Sequence, residues 1–177
     1  MANFYNLSGG GAQATTNTPV PPTLFAVNIA AQESTISWDE TSAVGSIIQI
    51  QYCKGTVGTG TVTTEEGDAL TGTATVFDEE LVAGDWIVVV NETAQIESVT
   101  DADEATLVGD YSTVVEGGDF GSLGTWTDLA SVPEGVETYT HSSLDASSPY
   151  FYRMRIFYKT KWSDWSDPVG GFTEAEG

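Results

Sequence analysis

Basic residues are scarce: five Lys and Arg stand against 26 Asp and Glu in 177 residues, leaving a net charge of −21. So negative a surface repels phosphate backbones and anionic membranes, and it argues against nucleic-acid binding by counterion release. Cysteine is scarcer still. Cys53 stands alone, so no intrachain disulfide can form, and its place in a strand-like stretch reads as a small buried hydrophobe. No run of about 20 apolar residues occurs, and Met1 to Asn6 shows neither a basic region nor an apolar core of signal-peptide length. The expectation is a chain without a membrane span or a visible secretion signal.

A helical period is missing too. No segment repeats its apolar residues at 3.6-residue spacing over three turns, whereas Ile48, Ile50 and Tyr52 alternate with Gln49 and Gln51. Phe151, Met154, Ile156 and Tyr158 alternate less cleanly with Arg and Lys, and Gly, Thr, Ser and Pro punctuate at short intervals. This pattern predicts an all-β chain.

Catalytic constellations are equally sparse. His141, the single histidine, has Ser142, Ser143 and Asp145 nearby but no nucleophile motif, and it reads as a strand residue. Asp101-Ala102-Asp103-Glu104 and Asp78-Glu79-Glu80 lack the Gly and distal Glu of a calcium loop and read as solvated turns. Gly9-Gly10-Gly11 follows no strand and opens no helix, so it is not a phosphate loop. No enzymatic activity, metal or cofactor is expected.

What is present is aromatic. Trp162-Ser163-Asp164-Trp165-Ser166 follows Tyr150-Phe151-Tyr152-Arg153-Met154-Arg155 by one strand. In an extended strand Arg153 and Arg155 point the same way, so their guanidinium planes can interleave with Trp162 and Trp165 as a cation–π ladder, at about 0.5–2 kcal/mol per contact. Trp38 reads as core. Trp86 and Trp126 either pack on a sheet or stack on sugar rings.

Taken in order, these pieces resemble a fibronectin type III domain. Pro21-Pro22-Thr23-Leu24 is similar to its first strand, Ser34 to Trp38 to its second with the core Trp, and Ile48 to Tyr52 to its third. Leu144 to Tyr150 has the spacing of the tyrosine corner, in which the Tyr hydroxyl ties a loop back to the backbone, and Trp165 to Val169 with Phe172-Thr173 is similar to the last strand. The resemblance implies an immunoglobulin-like sandwich built from residues 23–55 and 119–177. The Trp-Ser repeat also resembles the motif of cytokine receptors, but the paired cysteines and membrane span such receptors carry are missing.

One sandwich needs about 100 residues, so this chain holds something more. After Lys54-Gly55 the next sandwich strand comes only at Gly124 to Leu129, which leaves residues 56–118 as an insertion with 14 acidic residues and no basic one. It carries five short strand patterns, Gly60 to Thr63, Ala69 to Phe77, Asp85 to Val90, Gln95 to Val99 and Thr106 to Val108, which suit a small closed barrel without exposed edges. Gly72-Thr73-Ala74-Thr75, Leu81, Gly84-Asp85, Ile87-Val88-Val89, Ile96, Val99 and Thr106-Leu107 resemble a β module of tailed-bacteriophage structural proteins.

Residues 1–22 form a third region. Their Gly, Thr and Pro content reads as a flexible, then polyproline-like arm with Phe4, Tyr5 and Leu7 at the tip, poised to order on a neighbouring subunit. Together the resemblances imply a structural component of a phage virion in the neck, tail or capsid surface. It would be made in the host cytoplasm, exposed on the particle, and bound to other virion proteins and to further copies of itself. The alternative is a carbohydrate-binding or host-surface adhesion module whose partner is a glycan.

Overall fold

The computed structural model describes residues 19–21, 23–39, 45–65 and 67–175. The arm tip residues Phe4, Tyr5 and Leu7 lie outside the described residues. The chain is all-β. It begins with β1 (Thr23–Ala30), β2 (Glu33–Asp39) and β3 (Ile47–Lys54). It then makes an excursion through β4 (Thr56–Val57), β5 (Thr61–Thr64), β6 (Gly67–Thr73), the helical turn α1 (Phe77–Glu80), β7 (Trp86–Val89), β8 (Glu92–Val99), β9 (Glu104–Tyr111), β10 (Val115–Gly118) and β11 (Phe120–Ser122). It returns through β12 (Thr127–Pro133), β13 (Thr138–Ser142), β14 (Pro149–Tyr158), β15 (Lys161–Trp162) and β16 (Val169–Phe172).

The first and last groups form two antiparallel sheets, one ordered β1-β2-β13 and the other β12-β3-β14, with β15 and β16 both pairing with β14. Alternation explains the layers. Ile48 and Ile50 on β3 and Tyr152, Met154 and Ile156 on β14 turn inward against Ile36, Trp38, Val132 and Leu144, and the residues between them turn outward. The sequence places Trp165 to Val169 in the last strand, but residues 163–168 are not strand. The serine hydroxyls explain how this stretch still holds β14. Ile156 N–H donates to Ser163 Oγ at 2.9 Å and Met154 N–H to Ser166 Oγ at 3.1 Å, while the N–H groups of Ser163 and Ser166 return bonds to the carbonyls of Ile156 and Met154.

The excursion forms an eight-segment sheet in the order β10-β5-β6-β9-β8-β7-β11-β4. Its ends meet. Residues 115–122 (β10 and β11) run antiparallel to residues 56–64 (β4 and β5), with Thr56 opposite Ser122 and Val62 opposite Gly118, while Phe120 also pairs with Val89 of β7. Counting β4 with β5 and β10 with β11, the eight segments become six staves of a closed barrel. Val62, Leu70, Phe77, Ile87, Val89, Ile96, Leu107, Tyr111 and Phe120 fill it.

The insertion differs from its sequence outline in two ways. It extends to Ser122 rather than stopping at residue 118, because Phe120 is fully buried in the barrel and the stretch around it supplies the closing stave. The strand pattern Ala69 to Phe77 breaks at Ala74, whose φ of 57° is left-handed, and the chain then turns into α1 so that Phe77 plugs the barrel against Phe120 at 5.5 Å between rings. The buried Thr75 hydroxyl holds that turn through the Ala102 carbonyl at 2.7 Å.

The two modules share a seam. Val88 turns outward from the barrel and packs on Cys53 and Phe151 of the sandwich, and all three are fully buried. At the β7–β8 turn the Val90 carbonyl accepts a hydrogen bond from Phe172 N–H at 3.0 Å, and the Thr93 hydroxyl donates to the Pro168 carbonyl at 3.0 Å. Glycine permits the approach, since a Cβ on Gly171 would lie 2.5 Å from Asn91 Oδ1 and one on Gly55 2.4 Å from the Ser122 carbonyl.

Candidate binding face on the outer sheet

Phe151, Arg153, Arg155 and Phe157 alternate along β14 on the side away from the sandwich core, and their antiparallel neighbours on β3 are Cys53, Gln51, Gln49 and Ile47. This face changes character along its length. At one end Cys53 and Phe151 lie under the barrel. The middle carries the ladder: Arg153 sits 4.2 Å from the Trp126 ring and 4.4 Å from Trp165, and Arg155 sits 4.3 Å from Trp165 and 4.1 Å from Trp162. The order is Trp126, Arg153, Trp165, Arg155, Trp162. At the far end Ile47 and Trp162 are 43% and 40% exposed, and Phe157 lies against Trp162 at 4.9 Å.

Hydrogen bonds fix the guanidinium planes. Arg153 Nε and Nη2 donate to Gln51 Oε1 at 2.9 and 2.8 Å, and Arg155 Nε donates to Gln49 Oε1 at 2.9 Å. Both glutamines pass the polarisation on, donating through Nε2 to Asp128 Oδ1 at 2.9 and 2.7 Å. One carboxylate on β12 thus orients two cations two strands away, and Trp165 separates them. Burial, followed by repulsion from Arg155, pulls Arg153 below the ordinary arginine value, though arginine stays charged in proteins. The result is a stiff plate of stacked cations and rings.

The remaining sequence candidates fall elsewhere. Tyr150 and Leu144 are buried together, and the Tyr150 hydroxyl accepts the Asp145 N–H at 3.1 Å, tying the loop before β14 to the strand. His141 lies across the sandwich, with Nδ1 3.2 Å from the Tyr152 hydroxyl and its ring 4.6 Å from Tyr52; burial lowers its pKa. Cys53 accepts the Gly124 N–H at 2.9 Å, and burial pushes its thiol up. Asp101 Oδ1 accepts the N–H groups of Asp103 and Glu104, closing the turn between β8 and β9. Sequence reasoning left Trp126 outside the ladder, and it missed Gln49, Gln51 and Asp128. The alternation of β3 already placed both glutamines on one face, but only the register of β12 and β14 puts them between Asp128 and the arginines.

No protein-family model matches the chain, and no curated protein matches it. Among the described residues, no helix is long and apolar enough to cross a membrane.

Proposed function

We propose that the protein is a non-enzymatic structural component of a tailed-bacteriophage virion, a neck, tail or capsid-surface protein exposed on the particle. It acts through contacts with other virion proteins and with further copies of itself. The observation that carries this reading is the outer sheet face, where an apolar end formed by the exposed Ile47 and Trp162 and the half-buried Phe157 continues into two arginines already immobilised between tryptophan rings. Trp and Arg dominate the energetics of protein interfaces, and a side chain ordered in advance loses little entropy on binding.

Two arrangements support the phage assignment. Sheets ordered β1-β2-β13 and β12-β3-β14, with Tyr150 bonded to the Asp145 backbone, agree with the fibronectin type III resemblance. A barrel set into one sandwich loop agrees with the resemblance to the phage module. The test is immuno-electron microscopy of purified particles from the culture that carries the gene, using antibodies to the recombinant protein. Labelling at symmetry-related positions is the expected result. Unlabelled particles, together with glycan binding by the isolated protein, would replace this reading with the adhesion module.

A further inference from the structure

A cleft of about 350 Å³ opens on the outside of the barrel where it meets the sandwich. Trp86 of β7, Gln95 of β8 and Val108 and Asp110 of β9 line it from the barrel, and Asp167 lines it from the loop before β16. Trp86 pairs directly with Gln95 across the sheet, and Val108 is 56% exposed. The two modules together make this site, and neither has all of its walls alone.

Gln95 is committed to the fold, donating through Nε2 to the Gly84 carbonyl at 2.9 Å, whereas Trp86, Asp110 and Asp167 are not. The other four tryptophans are engaged, Trp38 in the sandwich core and Trp126, Trp162 and Trp165 in the ladder, whereas Trp86 enters no ring stack or cation–π contact among the described residues. Glu92, also on the wall, is committed to the N–H and hydroxyl of Ser112. Asp110 and Asp167 have no hydrogen-bond or ion-pair partner among the described residues, and the insertion holds no basic residue that could supply one.

We infer that this cleft receives a lysine or arginine side chain of a partner protein, with the cation over the Trp86 ring and between the Asp110 and Asp167 carboxylates. Charge complementarity selects this occupant. A guest that covers both carboxylates must offset their desolvation, which a cation does through charge and hydrogen bonds together and a neutral sugar only through the hydrogen bonds of its hydroxyls. The aromatic wall adds a cation–π contact, and the exposed Val108 suits the aliphatic stem of the same side chain. The inference stands on the cleft alone and is independent of the virion assignment.

The test uses the full chain, labelled with ¹⁵N and titrated with acetyl-arginine amide, its neutral citrulline analogue, and glucose, galactose and N-acetylglucosamine in turn. The Trp86 indole N–H and the Asp110 and Asp167 amides should shift with the arginine probe, more weakly as salt is raised, and should be unmoved by the others. The Asp110→Asn, Asp167→Asn double variant should weaken that response about tenfold while leaving the remaining amides in place. Equal response to citrulline, response to a sugar instead, or an unaltered arginine titration in the double variant would overturn the inference. Trp86→Phe, which keeps an aromatic face, serves as a second variant and should retain most of the binding.

Discussion

The sandwich and the barrel solve the problem of sheet edges in opposite ways. The barrel closes its hydrogen-bond ring with residues 56–64 and 115–122, so every stave is paired on both sides, and it can carry 15 acidic residues and no basic one without exposing an unpaired strand. The sandwich keeps its sheets open. It guards the outer flank of β14 with serine hydroxyls at Ser163 and Ser166 and its outer face with stacked rings and guanidinium groups. All five basic residues lie in the sandwich, so the charge of the chain is divided by module. Closure in one module and side-chain cover in the other achieve the same protection, and side-chain cover leaves a face of stacked rings and guanidinium groups.

The seam is where this contrast can be broken most sharply. Phe151→Ala would empty a fully buried site between Val88 and Cys53, and large-to-small changes of this kind cost about 3–5 kcal/mol. Chemical denaturation should show both modules losing stability, because the lost contacts belong to both. If only the near-ultraviolet signal of the sandwich moved, the barrel would be energetically separate. Excising the insertion should for the same reason destabilise the sandwich, although the adjacent ends at Thr56 and Ser122 make the deletion sterically simple.

A smaller effect should stay within one module. Trp165→Ala removes the ring between two guanidinium groups, and loss of its burial and both cation–π contacts should cost about 1–3 kcal/mol. The check is the denaturation midpoint, alongside hydrogen exchange of barrel amides. Unchanged barrel protection with a lowered sandwich midpoint is the expected result, and an unchanged midpoint would show that the ladder contributes nothing to stability.

Acid should separate the modules most subtly. Burial lowers His141 from its ordinary 6.5, so the unfolded chain binds the proton more readily, and the sandwich should begin to lose stability as pH falls below that value. For Glu92 burial acts to raise the pKa, but hydrogen bonds from Thr113 and Ser112 outweigh it and hold the carboxyl below its ordinary 4.5. Its stabilisation is full above 4.5 and is lost as pH falls through the lower folded value, so the barrel should respond later in an acid titration. His141→Gln should flatten the earlier limb and Glu92→Gln the later one, each read from denaturation midpoints across the pH range.

The parts legible in the sequence are those governed by local alternation. Ile48, Ile50 and Tyr52 disclosed β3, and two arginines two residues apart beside two tryptophans three residues apart disclosed most of the ladder. The missing elements depend on distant pairing. Trp126 joins the ladder from the connection between β11 and β12, a placement set by the return from the barrel rather than by any local pattern. The closing stave escaped notice because Val115–Gly118 and Phe120–Ser122 are too short and glycine-rich to show a period, and their partners on β4 and β5 lie more than 50 residues earlier. The turn at Ala74 could not be read at all, since alanine gives no signal for a left-handed φ.

The adjacency of Thr56 and Ser122 has a mechanical consequence. A pull applied between residues 19 and 175 enters through β1 and β16 and is borne first by sandwich strands. The barrel is a side loop clamped at its neck by the β4–β11 pair, and tension along the backbone enters its strands only after that clamp and the sheet around β3 have parted. Under load the acidic module is therefore the sheltered reserve of the chain, and the sandwich is its fuse.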